Sequence, residues 1–186
     1  MTETPVGRVP TAEDKARFWA LIEAAWAELG SGPAELRRML LTRDPAGDEE
    51  NERLYEIDAF LDGFLERLAA VSADLSPFEL VAMDRVLERA LHDADREDIH
   101  EKTDGSDDGF LYARGHIVAM GREFHEAVLR DPRFAVLDGE CEAMCYFFNG
   151  LYRERTGEEW AETGSGISRE SCSNAEGWPS LQRHRV

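Results

Sequence analysis

Four side chains in one stretch could do chemistry together: Asp107, Asp108, Arg114 and His125. On a helix turning about 100° per residue, the spacings from Asp107 to Arg114 and from Arg114 to His125 return to within ~20° of one direction. A helix expected over 107–130 therefore lines up an acid, a guanidinium and an imidazole. They share that side with Leu111, Val118 and Gly121, next to Phe110, Ile117, Phe124 and Val128, so the line falls on or beside the core-facing stripe. Burying an arginine costs several kcal/mol unless a carboxylate or water meets it. Its side chain leans toward the helix N-terminus, where Asp107 and Asp108 stand. Two arrangements satisfy that need. In the first, Ser106 or Asp107 caps the helix and Arg114 bridges the acids to another helix. In the second, Arg114 lines a cleft and binds an anion or carboxylate while an acid and His125 assist. Gly115 and Gly121 in the same helix each forfeit roughly 1 kcal/mol relative to alanine, which points to close helix packing or to a ligand approaching the backbone.

The other reactive residue types give weaker patterns. His116 and His125 fall on opposite sides of one helix and cannot share an ion there. Asp104, Asp107 and Asp108 offer oxygens without the full calcium-loop pattern, so no metal site is expected. Cys141 and Cys145 stand one turn apart on an inner helix face and read as buried thiols, with Glu140 and Glu142 opposing thiolate formation. The chain has no phosphate-cradling glycine loop, no nucleophile elbow and no dinucleotide fingerprint, so no cofactor is expected. No catalytic signature emerges, and the balance leans away from an enzyme.

Helices must position these residues. Phe18, Leu21, Ile22, Ala25 and Leu29 recur at the helical period over 13–29, and Gly30-Ser31-Gly32-Pro33 is expected to stop that helix before a shorter one over 34–41. The next helix, over 48–72, opens on the acidic run Asp48-Glu49-Glu50 and carries Leu54, Ile57, Leu61, Phe64, Leu65 and Leu68 on one side. Ser76-Pro77-Phe78-Glu79 is a strong helix start, with a serine cap, proline in the first turn and glutamate three residues on. That helix runs to about residue 95 with Leu80, Met83, Leu87 and Leu91 inward. The last expected helix spans 139–155. No stretch alternates like a strand. The fold class is therefore all-α, a single compact domain of about five or six helices over 13–157. A flexible N-terminus (1–12) and an irregular, mobile C-terminal tail (158–186) flank it, and Trp160 and Trp178 of the tail could dock on the body.

Charge narrows the partners. Of 186 residues, 39 are acidic and 21 basic, a net charge of −18. Such a surface repels nucleic-acid phosphates and anionic membranes and attracts a basic protein or a cation. The cluster Arg183-His184-Arg185 is too small to reverse that. No segment approaches the ~20 apolar residues of a bilayer span, and Met1 to Pro10 has no apolar signal core. Three cysteines without framework spacing argue against a secreted disulfide scaffold, so a cytoplasmic location is expected. The preference for arginine over lysine, with alanine-rich helices, suggests a GC-rich bacterial genome.

Gly105-Ser106-Asp107-Asp108-Gly109-Phe110, followed by Arg114-Gly115-His116-Ile117-Val118 and Gly121-Arg122-Glu123, resembles the bacterial domain-of-unknown-function family 4240. Phe18-Trp19-Ala20-Leu21-Ile22 and Leu75-Ser76-Pro77-Phe78-Glu79 are similar to that family's N-terminal and middle signatures, and the likeness covers 17–137. The resemblance implies a helical fold and no defined chemistry. Two functions compete. The first is a non-enzymatic binding or regulatory module engaging a basic protein partner; the second is a small-molecule sensor or enzyme with a polar pocket around Arg114.

Overall fold

The computed structural model of the chain describes residues 7–47, 52–103, 106–159 and 162–183, with the backbone alone of Asp107 and Arg183. The acidic run Asp48-Glu49-Glu50, Asp104, Trp160, His184 and Arg185 lie outside the described residues.

Helix α1 (Ala12–Ala27) opens on a reciprocal cap, in which Thr11 Oγ1 accepts the Asp14 N–H at 3.0 Å and the Asp14 carboxylate accepts the Thr11 N–H at 3.1 Å. It buries Phe18, Ile22, Ala25 and Trp26. Helix α2 (Ser31–Thr42) begins directly after Gly30 and contains Pro33 in its first turn, where a proline has no intrahelical N–H to lose. Gly30 to Pro33, expected as a stop, is therefore also a start. A 3-10 helix over Glu52–Phe60 precedes α3 (Leu61–Val71), in place of one long α-helix.

Helix α4 (Pro77–Asp93) starts as expected: Ser76 Oγ accepts the Glu79 N–H and Glu79 accepts the Ser76 N–H at 2.7 Å. Arg17 of α1 also reaches Glu79 at 2.5 Å. Hydrogen bonds from Ser76 and then Arg17 hold that carboxyl down at about 2. Helix α5 (Glu97–Thr103) follows.

The helix expected over 107–130 is two, α6 (Asp107–Ala119) and α7 (Arg122–Arg130). Gly121 separates them with φ 98°, a left-handed conformation that a glycine adopts without steric cost. The freed carbonyls of the break are not left unmet. Trp26 Nε1 donates to Ala119 O at 2.7 Å, and Arg37 donates to Met120 O at 3.0 and 2.8 Å. The C-terminal helix is likewise divided, into α8 (Glu142–Cys145) and α9 (Phe147–Thr156), and α10 (Pro179–Arg183) closes the described chain. The described residues thus form ten α-helices rather than five or six, because caps and a left-handed glycine interrupt runs that periodicity alone joins. They contain no strand. No described helix is long and apolar enough to cross a membrane.

α4 is the central element, packed against α1, α6 and α9. Leu80, Met83, Leu87 and Leu91 are buried as expected, but so are Asp84, Arg85 and Glu88. The reason lies in the C-terminal segment. Residues 162–183 are irregular apart from a 3-10 turn (Ala175–Gly177) and α10, yet they lie against α4, with Thr163, Ser165, Arg169 and Trp178 buried. A tail rich in glycine and serine reads as mobile from composition alone; here polar contacts to α4 hold it.

Candidate functional site

The groups that receive this segment sit on one stripe of α4 and its C-terminal extension: Asp84, Glu88, Leu91, His92 and Asp95. At about 100° per residue these positions spread over about 100° of the helix surface, from Leu91 through Asp84, Asp95 and Glu88 to His92. Asp84 Oδ2 lies 2.5 Å and Glu88 Oε1 3.3 Å from Arg169 Nη2, and Arg169 Nη1 donates to the Cys145 carbonyl. The other Glu88 oxygen accepts the Thr163 hydroxyl and, at 2.7 Å, that of Ser165. Beside them Arg85 Nε donates to the Thr163 carbonyl at 2.7 Å. Burial raises the Asp84 carboxyl, with Arg169 opposing it. For Arg169, burial disfavours the charge, but Asp84 and Glu88 more than offset that and its pKa is raised.

At the far end, fully buried Asp95 accepts four hydrogen bonds, all from the segment: the N–H of Cys172 (3.0 Å) and of Asn174 (2.8 Å), the Ser173 hydroxyl (3.1 Å) and Trp178 Nε1 (2.9 Å). Asn174 Nδ2 also donates to the His92 carbonyl at 3.1 Å. The Trp178 ring lies 5.9 Å from Phe110 and 5.4 Å from His100.

Arg114 stands between these ends. It is 0% exposed, with its guanidinium 4.9 Å from the Phe110 ring centroid. Nη1 donates to Leu91 O at 3.2 Å; Nη2 donates to Arg169 O at 2.9 Å and Ser171 Oγ at 3.1 Å. Its Nε finds no acceptor among the described residues. Burial lowers its pKa, and the nearby Asp95 carboxylate opposes the shift. None of these partners is an aspartate of α6. Asp108 is exposed at the start of that helix, and the side chain of Asp107 lies outside the described residues. Ser106 is the cap, accepting the Gly109 N–H at 3.2 Å.

His125 is buried on α7, and the break at Gly121 removes it from the line of Arg114. Its Nε2 is 2.9 Å from Ala90 O, an acceptor, so that nitrogen carries the proton. Burial lowers its pKa, favouring the neutral ring. Arg114 and His125 thus both meet the last turn of α4, at the neighbouring carbonyls of Leu91 and Ala90, where a helix concentrates negative partial charge; the Ala90 carbonyl also accepts the Ala94 N–H. The imidazole also lines a concavity of about 490 Å³ with Trp19, Arg89 and Arg122.

Cys141 and Cys145 are buried thiols. Burial pushes Cys141 up to about 11 and Cys145 up to about 12, so neither is a ready nucleophile. Gly115 marks the closest approach of α6 and α8: an added Cβ would overlap the Cys141 carbonyl oxygen and stand 2.6 Å from Cys145 Sγ. Among the described residues, no cluster of three metal-binding side chains occurs.

Two carboxylates hold a guanidinium, a third carboxylate and an arginine read main-chain groups, and an aromatic niche takes an indole. Sequence reasoning missed Asp84, Glu88, Asp95 and Arg169. The acids of α4 repeat at helical spacing, but a solvated helix face carries the same pattern, and the arginine that completes the site comes from a segment with no periodicity.

The chain belongs to the family described as Protein of unknown function (DUF4240), whose match spans residues 14–154. No curated protein and no solved structure matches the chain. The receiving groups of the slot lie inside the matched residues, and the segment that fills it lies outside them.

Proposed function

We propose, starting from a family whose description names no activity, that this chain is a non-enzymatic protein-binding module whose acidic body receives a basic segment of a partner. One observation carries the reading: a guanidinium, that of Arg169, seated between Asp84 and Glu88 at 7% exposure. Carboxylates one helical turn apart take an arginine through charge-assisted hydrogen bonds, which are about twice as strong as neutral ones. The excess of 39 acidic over 21 basic residues adds a field that draws cations in and raises association rates. A pocket around Arg114 is not favoured, because Phe110 and the C-terminal segment enclose that guanidinium.

Titration calorimetry of the full chain against an arginine-rich peptide, with a glutamate-rich peptide as control, tests the reading. The expected result is saturation at one arginine-rich peptide per chain, weakened about tenfold or more at high salt, and no heat from the control. No saturable binding of the arginine-rich peptide at low salt would contradict it.

A further inference from the structure

We infer that residues 163–178 are an internal stand-in for the partner. The slot along α4 is then a recognition site for an extended segment carrying an arginine and, nine residues on, a tryptophan; the chain's own segment fills it until such a segment displaces it. The inference rests on the binding-module reading and gives that partner its chemistry.

The contacts follow the logic by which a folded surface reads a peptide, with side-chain anchors at the ends and main-chain contacts between them. Arg169 is the charged anchor and Trp178 the aromatic one, and both are buried. Between them, Glu170 to Gly177 are exposed or half-buried. There the body reads backbone: Arg114 takes the Arg169 carbonyl, and Asp95 takes the N–H groups of Cys172 and Asn174. The main-chain contacts place few demands on the sequence between the anchors, while the Ser171, Ser173 and Asn174 side chains add a preference for small polar residues there. These contacts also exchange for water when the segment leaves, so each contributes little net to holding it.

The resident segment is a poor fit in two respects. It presents Glu176 beside Glu97, Asp98 and Glu101 in a chain of net charge −18. Its Cys172 also adopts φ 64°, a left-handed conformation that a non-glycine residue enters at a cost. A segment with the same anchors, a basic residue in place of Glu176 and glycine at that turn would bind better than the one in place.

The test inserts a protease site between Gly157 and Glu162 of the full chain, cuts it, and follows exchange of the resident segment for fluorescent peptides. The peptides are residues 162–180 unchanged, the same peptide with Glu176→Lys and Cys172→Gly, and one with Arg169→Ala. The cut body is expected to stay folded and to take up the unchanged peptide. The doubly substituted peptide should compete at least about tenfold better and the Arg169→Ala peptide about tenfold worse, and Asp84→Asn together with Glu88→Gln in the body should erase most of that second difference. A cut chain that unfolds as its segment dilutes away, or that takes up no peptide, overturns the inference, since the segment is then a fixed part of the core. If the arginine-rich peptide still saturates the uncut chain in that case, the acidic-module reading stands and only the stand-in fails. If that peptide is also refused, both fail.

Discussion

A guanidinium can be held in a protein interior without a carboxylate in hydrogen-bond contact, as Arg114 illustrates. Its acceptors are two carbonyls and a hydroxyl, one of the carbonyls belonging to the last turn of α4, where partial negative charge accumulates. The spacing of apolar residues around position 114 predicts its inward direction. Its partners were not legible, because they lie 23, 55 and 57 positions away in sequence. His125 follows the same logic in neutral form. Burial lowers its pKa below the ordinary 6.5, with the hydrogen bond to Ala90 and then Asp93 and Glu126 opposing only in part. The unfolded chain therefore binds a proton that the folded chain refuses, and stability is lost as pH falls from about 6.5 through the depressed folded value. His125→Gln, which keeps a donor for the Ala90 carbonyl, should flatten this dependence by up to ~1.4 kcal/mol per pH unit. Urea unfolding of both proteins between pH 7.5 and 5.5 checks it; equal slopes would show that His125 does not carry the effect.

At the scale of elements, periodicity found where helices are and misjudged where they end. The start of α4 was legible because Ser76, Pro77 and Glu79 are local signals that act within one turn. The break between α6 and α7 was not. It depends on Trp26 and Arg37 of other helices accepting the role of partner to Ala119 and Met120. The two helix-interior glycines of α6 and α9 separate packing from propensity. At Gly150 an added Cβ meets nothing within 4 Å, so Gly150→Ala should stabilise by about 0.5–1 kcal/mol. At Gly115 the same methyl group meets the backbone of Cys141, which cannot swing aside as a side-chain end could. The overpacking cost of about 1–3 kcal/mol then outweighs the propensity gain. Thermal or denaturant unfolding of the two variants should move in opposite directions; a stabilised Gly115→Ala protein would mean that α8 shifts away freely.

For the whole molecule, apolar periodicity placed the chain among helical proteins, while composition left open where the C-terminal segment lies. Glycine, serine and isolated charges between Thr163 and Trp178 lack any apolar period, and the pattern is the same whether such a segment is solvated or laid along a polar stripe. What distinguishes the two cases is the presence of Asp84 and Glu88 on α4 and of Asp95 just past its end, each meeting groups of the segment more than seventy residues away in the chain. A body organised around α4, with a segment held mainly by hydrogen bonds and ion pairs, should open in two steps: the segment first, the helices only on global unfolding. Amide hydrogen exchange of the full chain measures this directly. The amides of Cys172 and Asn174, bonded to Asp95, are expected to exchange well before those of the middle of α4, and faster still in a Glu88→Gln protein while α4 is little changed. Protection of Cys172 and Asn174 equal to that of α4 in both proteins would contradict the account, since the segment would then leave only when the whole molecule unfolds.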